Sequence, residues 1–143
     1  MILRELMREK LEVVHLTEQA RLSQVADLMR DRRVGSVVIV DDSEHVVGMI
    51  TDRDIALSLA LGAATPDSFV SEVMSREVDC VSSSMNLFDV TRFFKTVEVK
   101  RLPVIDESKR LVGIVSMDDV MALLAREMFD TCSALEPKLG HMV

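Results

Sequence analysis

Two stretches of the chain place a hydroxyl three residues ahead of a carboxylate: Thr51-Asp52-Arg53-Asp54 and Ser116-Met117-Asp118-Asp119. Each is preceded by a glycine and two apolar residues, Gly48-Met49-Ile50 and Gly113-Ile114-Val115. Two kinds of chemistry use that spacing. A Ser or Thr followed at the third position by an acid ties off the free N–H groups of a helix start, usually with Glu or Gln and here with the shorter Asp. Alternatively, the pair receives a ligand. An ionised carboxylate is acceptor-only and takes both hydroxyls of a vicinal diol. A hydroxyl at a helix start lies beside unpaired N–H groups and the positive end of the helix dipole, which suit a phosphate. A glycine just ahead lets the backbone turn or approach closely. The two uses are compatible. Both copies keep Asp where Glu makes the better box, which favours a ligand.

Other chemistries leave no comparable pattern. The chain has no GxxxxGK[ST], no HExxH, and no Ser or Cys with an evident His partner, so an enzyme is not expected. Asp41-Asp42 and Asp118-Asp119 are paired carboxylates that a turn and a helix start explain more simply. His15, His45 and His141 lack ligand spacing, and no metal site is expected. Cys80 and Cys132 form no CxxC and read as buried small hydrophobes of a reducing compartment. A net charge of −7 argues against a sequence-independent grip on nucleic acid, and the absence of Trp and Tyr removes its usual stacking platforms. No apolar run reaches the roughly 18 residues of a membrane span. The opening MILRELMREK reads as a charged amphipathic helix and lacks the apolar stretch of a signal peptide. The expected location is the cytoplasm.

The elements that position these motifs come from a repeat. Gly48, Thr51 and Asp54 recur as Gly113, Ser116 and Asp119, an offset of 65. The same register aligns VVIVDDSEHVVG (37–48) with LPVIDESKRLVG (102–113), and Leu16, Leu22, Val25 and Met29 with Val81, Leu87, Val90 and Phe94. Further back it slips: LRELMREK (3–10) matches VSEVMSRE (70–77) only with about two residues inserted in the first copy. The chain is therefore two copies of one unit, joined near GAATPDS (62–68). Each copy reads as a β-branched strand (VVHL; VDCV), then a helix with apolar positions at i, i+3, i+4, i+7. These are Leu22, Val25, Ala26 and Met29, then Leu87, Val90, Phe93 and Phe94. A hairpin with an acidic turn and a closing helix follow. The fold class is α/β (α+β): β-α-β-β-α twice, packed about a pseudo-two-fold axis so that each small sheet covers the other. The expected units are 1–65 with an N-terminal helix, 66–135, and a tail at 136–143. The last helix, Met117 to Leu135, carries a mostly apolar stripe of Val120, Leu123, Leu124, Glu127 and Met128. At 143 residues, 48% hydrophobic and 29% charged, the chain can bury a real core. Met7, Met29, Met74 and Met121, among ten methionines, read as core filler.

A doubled β-α-β-β-α unit closed by G-h-[IV]-[TS]-x-x-D, each time behind an apolar hairpin, resembles the CBS-domain pair, also called the Bateman module. The resemblance covers about residues 1–135 and is similar to stand-alone two-CBS proteins. It implies binding of adenosine-containing ligands (AMP, ADP, ATP, less often S-adenosylmethionine or NAD) in two clefts between the repeats, with no cofactor required. In that pattern Asp54 and Asp119 take the ribose hydroxyls, and Thr51 and Ser116 contact ribose or the first phosphate. Met49 and Ile114 pack on adenine. Val34, Gly35 and Ser36, and Val99, Lys100 and Arg101, supply backbone bonds to the base and contacts to phosphate. Val13 and Val78 close the pockets. The copies differ: Lys100-Arg101 stands where the first copy has Gly35-Ser36, while Arg53 of the first motif stands opposite Asp118 of the second. Arg is the better fork for phosphate. The resemblance further implies a homodimer through the CBS helices and an unnamed protein effector that reads ligand occupancy, with no nucleic-acid or membrane partner. The alternative is a structural or interaction protein with empty clefts that acts through dimerisation.

Overall fold

The computed structural model describes Leu3, Arg8, Glu9 and residues 15–136. The first repeat runs β2 (His15–Thr17), α1 (Leu22–Arg32), β3 (Ser36–Val40), β4 (Val46–Thr51), α2 (Asp52–Ala60); β1 (Arg8–Glu9) precedes it. The second runs β5 (Val81–Ser82), α3 (Leu87–Phe94), β6 (Arg101–Ile105), β7 (Leu111–Ser116), α4 (Met117–Leu135). In each, the first strand lies parallel to the second after a helical crossover, and the second turns back antiparallel through a hairpin. The sheet orders are β2-β3-β4 and β1-β7-β6-β5. The expected order of elements is present in both copies. The strand expected over VDCV (78–81) is realised only as Val81–Ser82. Pro103, which has no N–H to give a ladder, stands at the position matching Val38, where β2 begins to pair.

The run Val37-Val38-Ile39-Val40 is buried throughout because it is covered on both faces. Val37 and Ile39 face the first repeat's own core with Leu22, Val25 and Ile55. Val38 and Val40 face the other way, into a central cluster with Leu111 that Val46, Met49 and Ile114 flank. The hairpin tips meet there too: Leu111 N–H donates to the Glu44 carbonyl at 2.9 Å, and His45 bridges to Arg110. Each tip turn is tied by its first aspartate. Asp41 accepts from the N–H groups of Ser43 and His45, and Asp106 from that of Arg110. The His45 N–H bond, more than any other contact, holds the Asp41 carboxyl below its ordinary value.

Each core is closed by the segment that precedes the other repeat. Val70 and Met74 lie in the first repeat's core, and Val70 N–H donates to the Ala20 carbonyl at 2.7 Å. Leu3 lies in the second core, and its N–H donates to the Met85 carbonyl at 2.9 Å. Ser75 exchanges two backbone bonds with Met49, and at the matching place Arg8 pairs with Ile114. The two-residue slip in the repeat is the register of this exchange. It also corrects the expected N-terminal helix: Arg8–Glu9 form an edge strand on β7. The rest of that expected helix, apart from Leu3, lies outside the described residues, as do Met7 and Val13.

The motif hydroxyls start helices. Thr51 Oγ1 accepts from Asp54 N–H at 3.1 Å and Asp54 Oδ2 accepts from Thr51 N–H at 2.9 Å, a complete capping box on α2. Ser116 Oγ accepts from Asp119 N–H at 3.1 Å on α4. Several apolar expectations fail on burial. Ala26 is exposed on α1, and Met121 is 61% exposed. Past Leu123 the α4 stripe is uncovered, with Met128 at 70% exposure. Cys132 is exposed as well, whereas Cys80 is half-buried and its thiol is pushed up to about 11, chiefly by burial and then by Asp79.

Three outcomes test this packing. Leu3→Ala should cost about 2–5 kcal/mol in urea unfolding, as for a buried Leu truncation; a loss within the ~0.5 kcal/mol typical of surface changes would refute the exchange. Thr51→Ala should lose about 0.5–2 kcal/mol and Thr51→Ser little, read from thermal unfolding. Under native conditions at neutral pH a thiol reagent should modify Cys132 and spare Cys80; equal rates would contradict the burial of Cys80.

Candidate functional site

Both motifs stand at the open ends of their hairpins, away from the tips. Ser36 pairs with Thr51 and Arg101 with Ser116, the last residues of β4 and β7. The helices start from the same level. Asp52 N–H donates to the Gly35 carbonyl at 3.0 Å, and Met117 N–H to the Lys100 carbonyl at 2.8 Å. These matched bonds seat each helix N-terminus against the residue that leads into the neighbouring strand.

One cleft of roughly 680 Å³ opens across both sets of strand ends. Its wall is Gly35, Ser36, Met49, Thr51, Asp52 and Arg53 from the first repeat and Val99, Lys100, Arg101, Ser116 and Asp118 from the second. The volume falls within the range of small-molecule sites, about 300–1,000 Å³. Arg53, Lys100 and Arg101 form no ion pair among the described residues. Two carboxylates, Asp52 and Asp118, share the wall, so the cleft is locally positive in a chain of net charge −7. Three hydroxyls (Ser36, Thr51 and Ser116), two helix starts and three cations make an arrangement that accepts an anion with several oxygens.

The structure brings Ser36, Met49, Thr51, Arg53, Val99, Lys100, Arg101 and Ser116 together on this wall. Other candidate residues stand elsewhere. Asp54 and Asp119 are not on it; one oxygen of Asp54 is held by the cap, at the third helical position where the side chain turns back toward the N-cap. Val34 packs against the first core and Ile114 against the central cluster. Val78 is half-buried, with its carbonyl 3.8 Å from the Cys80 Sγ. Asp52 was not singled out by sequence reasoning. The signal was its place as first residue of a helix whose third residue closes the cap, which leaves the first to face the cleft.

Gly48 has a structural task. A Cβ there would run into Met74 Sδ and lie 2.9 Å from Met74 Cγ, so the glycine makes room for the segment that closes the first core. Among the described residues no group of three His, Cys, Asp or Glu is placed to hold a metal, and no helix is long and apolar enough to cross a membrane.

Comparison with known proteins agrees with this architecture. The CBS domain pattern matches twice, over residues 3–61 and 70–126. The Bacillus subtilis CBS domain-containing protein YhcV is 33% identical over 109 residues, 76% of either chain. A Methanopyrus kandleri relative is 31% identical over 99 residues, 68% of this chain; the chain spans 50% of that protein's length. The Arabidopsis thaliana CBS-pair protein CBSX2, solved in complex with AMP, superimposes with a TM-score of 0.78 over 89% of this chain and 98% of that one, at 23% identity. The cytosolic domain of the Mg2+ channel MgtE, solved with ATP, superimposes with a TM-score of 0.70 at 28% identity, over 80% of this chain and 46% of that one. Two matched repeats, reciprocally closed and opening one cleft at their motif ends, make this chain a member of the CBS-domain family.

Proposed function

We propose that the chain is a regulatory binding module for adenosine-containing nucleotides, AMP, ADP or ATP before S-adenosylmethionine or NAD. The observation that carries the reading is the cleft: both motif hydroxyls, both helix starts and three cations that form no ion pair among the described residues converge on it. CBSX2 with AMP and the MgtE domain with ATP support the ligand class. In this reading Thr51, Ser116, Arg53, Lys100 and Arg101 receive phosphate, and Met49 offers the apolar contact for the base. Asp54 spends Oδ2 on the cap and keeps Oδ1 as an acceptor for a ribose hydroxyl. Asp119 holds the matching role in the second repeat.

Occupancy is passed on through a homodimer to a protein effector in the cytoplasm. The apolar residues that α4 and α2 leave exposed, Met121, Leu124, Met128 and Phe129 with Leu57 and Leu59, supply the contact. A ligand moves such an assembly only by binding one of its states more tightly than the other.

Calorimetric titration of AMP, ADP, ATP, S-adenosylmethionine and NAD into the wild type tests the reading. Saturable binding of at least one is expected. Arg101→Gln should weaken it at least about tenfold, the scale of a lost hydrogen bond to a charged group. Asp54→Asn keeps a cap acceptor and Asp119→Asn keeps the N–H that Ser116 Oγ accepts, while each removes a charge, so they should weaken binding and leave the melting temperature near wild type. If no adenosine ligand binds, the nucleotide reading fails, and the alternative of an assembly module takes its place.

A further inference from the structure

We infer that the two repeats share one phosphate centre, so that the chain holds a single oligophosphate tail at a time. This rests on the proposed function only for the adenosine end of the ligand; the oligophosphate end follows from the cleft itself. Two independent sites would each carry their own cations. Instead Thr51 of the first motif and Ser116 of the second line the same cavity, together with the three cations that the described residues place on its wall. Those cations break the repeat symmetry. Lys100 and Arg101 come from the second copy, where the first offers Gly35 and Ser36, and Arg53 comes from the first copy, where the second offers Asp118. Neither motif is therefore equipped alone. The first has a motif cation but a neutral strand start, and the second has a cationic strand start but an acid in its motif.

The charge count sets the limit. Three cations against Asp52 and Asp118 leave an excess of one positive charge. A phosphate monoester carries about −1.5 to −2 at neutral pH, and a triphosphate carries more. One tail can draw on all three cations, both hydroxyls and the N–H groups of two helix starts. A second tail would find those partners used and would face the first across the same space. Taken as a cube, 680 Å³ is about 9 Å on a side, so two tails inside it would lie about one screening length apart or closer, roughly 8 Å in physiological salt, where repulsion is reduced and not abolished. Adenosine without phosphate has no claim on the cluster and escapes the limit.

The test is calorimetry on the whole chain with three probes: inorganic tripolyphosphate, ATP and adenosine. Tripolyphosphate and ATP should each bind with one equivalent per chain and compete with one another, while tripolyphosphate leaves adenosine binding unchanged. The triple variant Arg53→Gln/Lys100→Gln/Arg101→Gln should lose tripolyphosphate by about a hundredfold or more, as expected when several charge-assisted bonds go together. Its melting temperature should match the wild type, because all three side chains are exposed. Two equivalents of ATP per chain, or ATP binding that tripolyphosphate does not displace, would overturn the shared centre. If tripolyphosphate binds with one equivalent and no adenosine ligand binds, the shared centre stands and the nucleotide reading fails. If AMP binds and tripolyphosphate does not, the nucleotide reading stands and the shared centre fails.

Discussion

Val70 N–H donates to the Ala20 carbonyl and Leu3 N–H to the Met85 carbonyl, so each repeat is closed by the chain that leads into the other. Both side chains are fully buried, in the core of the repeat they do not belong to in sequence. A three-stranded sheet with two helices has too little apolar surface to close around itself. The exchange supplies the missing cover twice and ties the repeats together. On the first repeat it is reinforced where the linker crosses α1. Leu22 and Ser23 N–H groups donate to the carbonyls of Ser68 and Pro66, and the Arg21 guanidinium lies 4.2 Å over the Phe69 ring. Gly48 belongs to the same device, since a side chain there would collide with the seated Met74.

The exchange also determines where chemistry can occur. With the sheets joined through Val38, Val40 and Leu111, and the hairpin tips bonded to one another, the open ends of both hairpins are brought to a common level. Both strand-to-helix junctions then face the same cavity. Capping groups, helix N-termini and the residues before β3 and β6 are unavoidable parts of such junctions. On that wall Arg53, Lys100 and Arg101 outnumber Asp52 and Asp118, which leaves the recess with an excess of positive charge.

Much of this was legible. The offset of 65 gave both units, the hairpins and the helix starts, because each depends on local pattern: alternating or continuous apolar runs, acidic turns, a hydroxyl ahead of an acid. Even the exchange left a trace in the two-residue slip between residues 3–10 and 70–77. What failed depends on which face of an element meets a neighbour. MILRELMREK has a helical period, yet Arg8 and Glu9 pair with β7, because an open sheet edge outweighs a weak local preference. Ala26, Met121 and Cys132 fit apolar patterns and stand exposed. Spacing also did not show that the Asp54 side chain turns back to the N-cap, which leaves Asp52 and Arg53 on the cleft wall, with Asp118 there from the second repeat.

In the proposed reading, that last displacement lets one short motif serve two demands. A glutamate at the third position reaches the N-cap with slack, and its length would let the carboxylate wander over the cleft mouth. Aspartate is short enough that one oxygen bonds Thr51 N–H at 2.9 Å and the other stays fixed beside it. The cap therefore orients the carboxylate before any ligand arrives, and a preorganised acceptor loses little freedom on binding. Capping and the proposed binding meet at one place because the N–H groups that a helix start leaves unpaired are the ones an anion seeks.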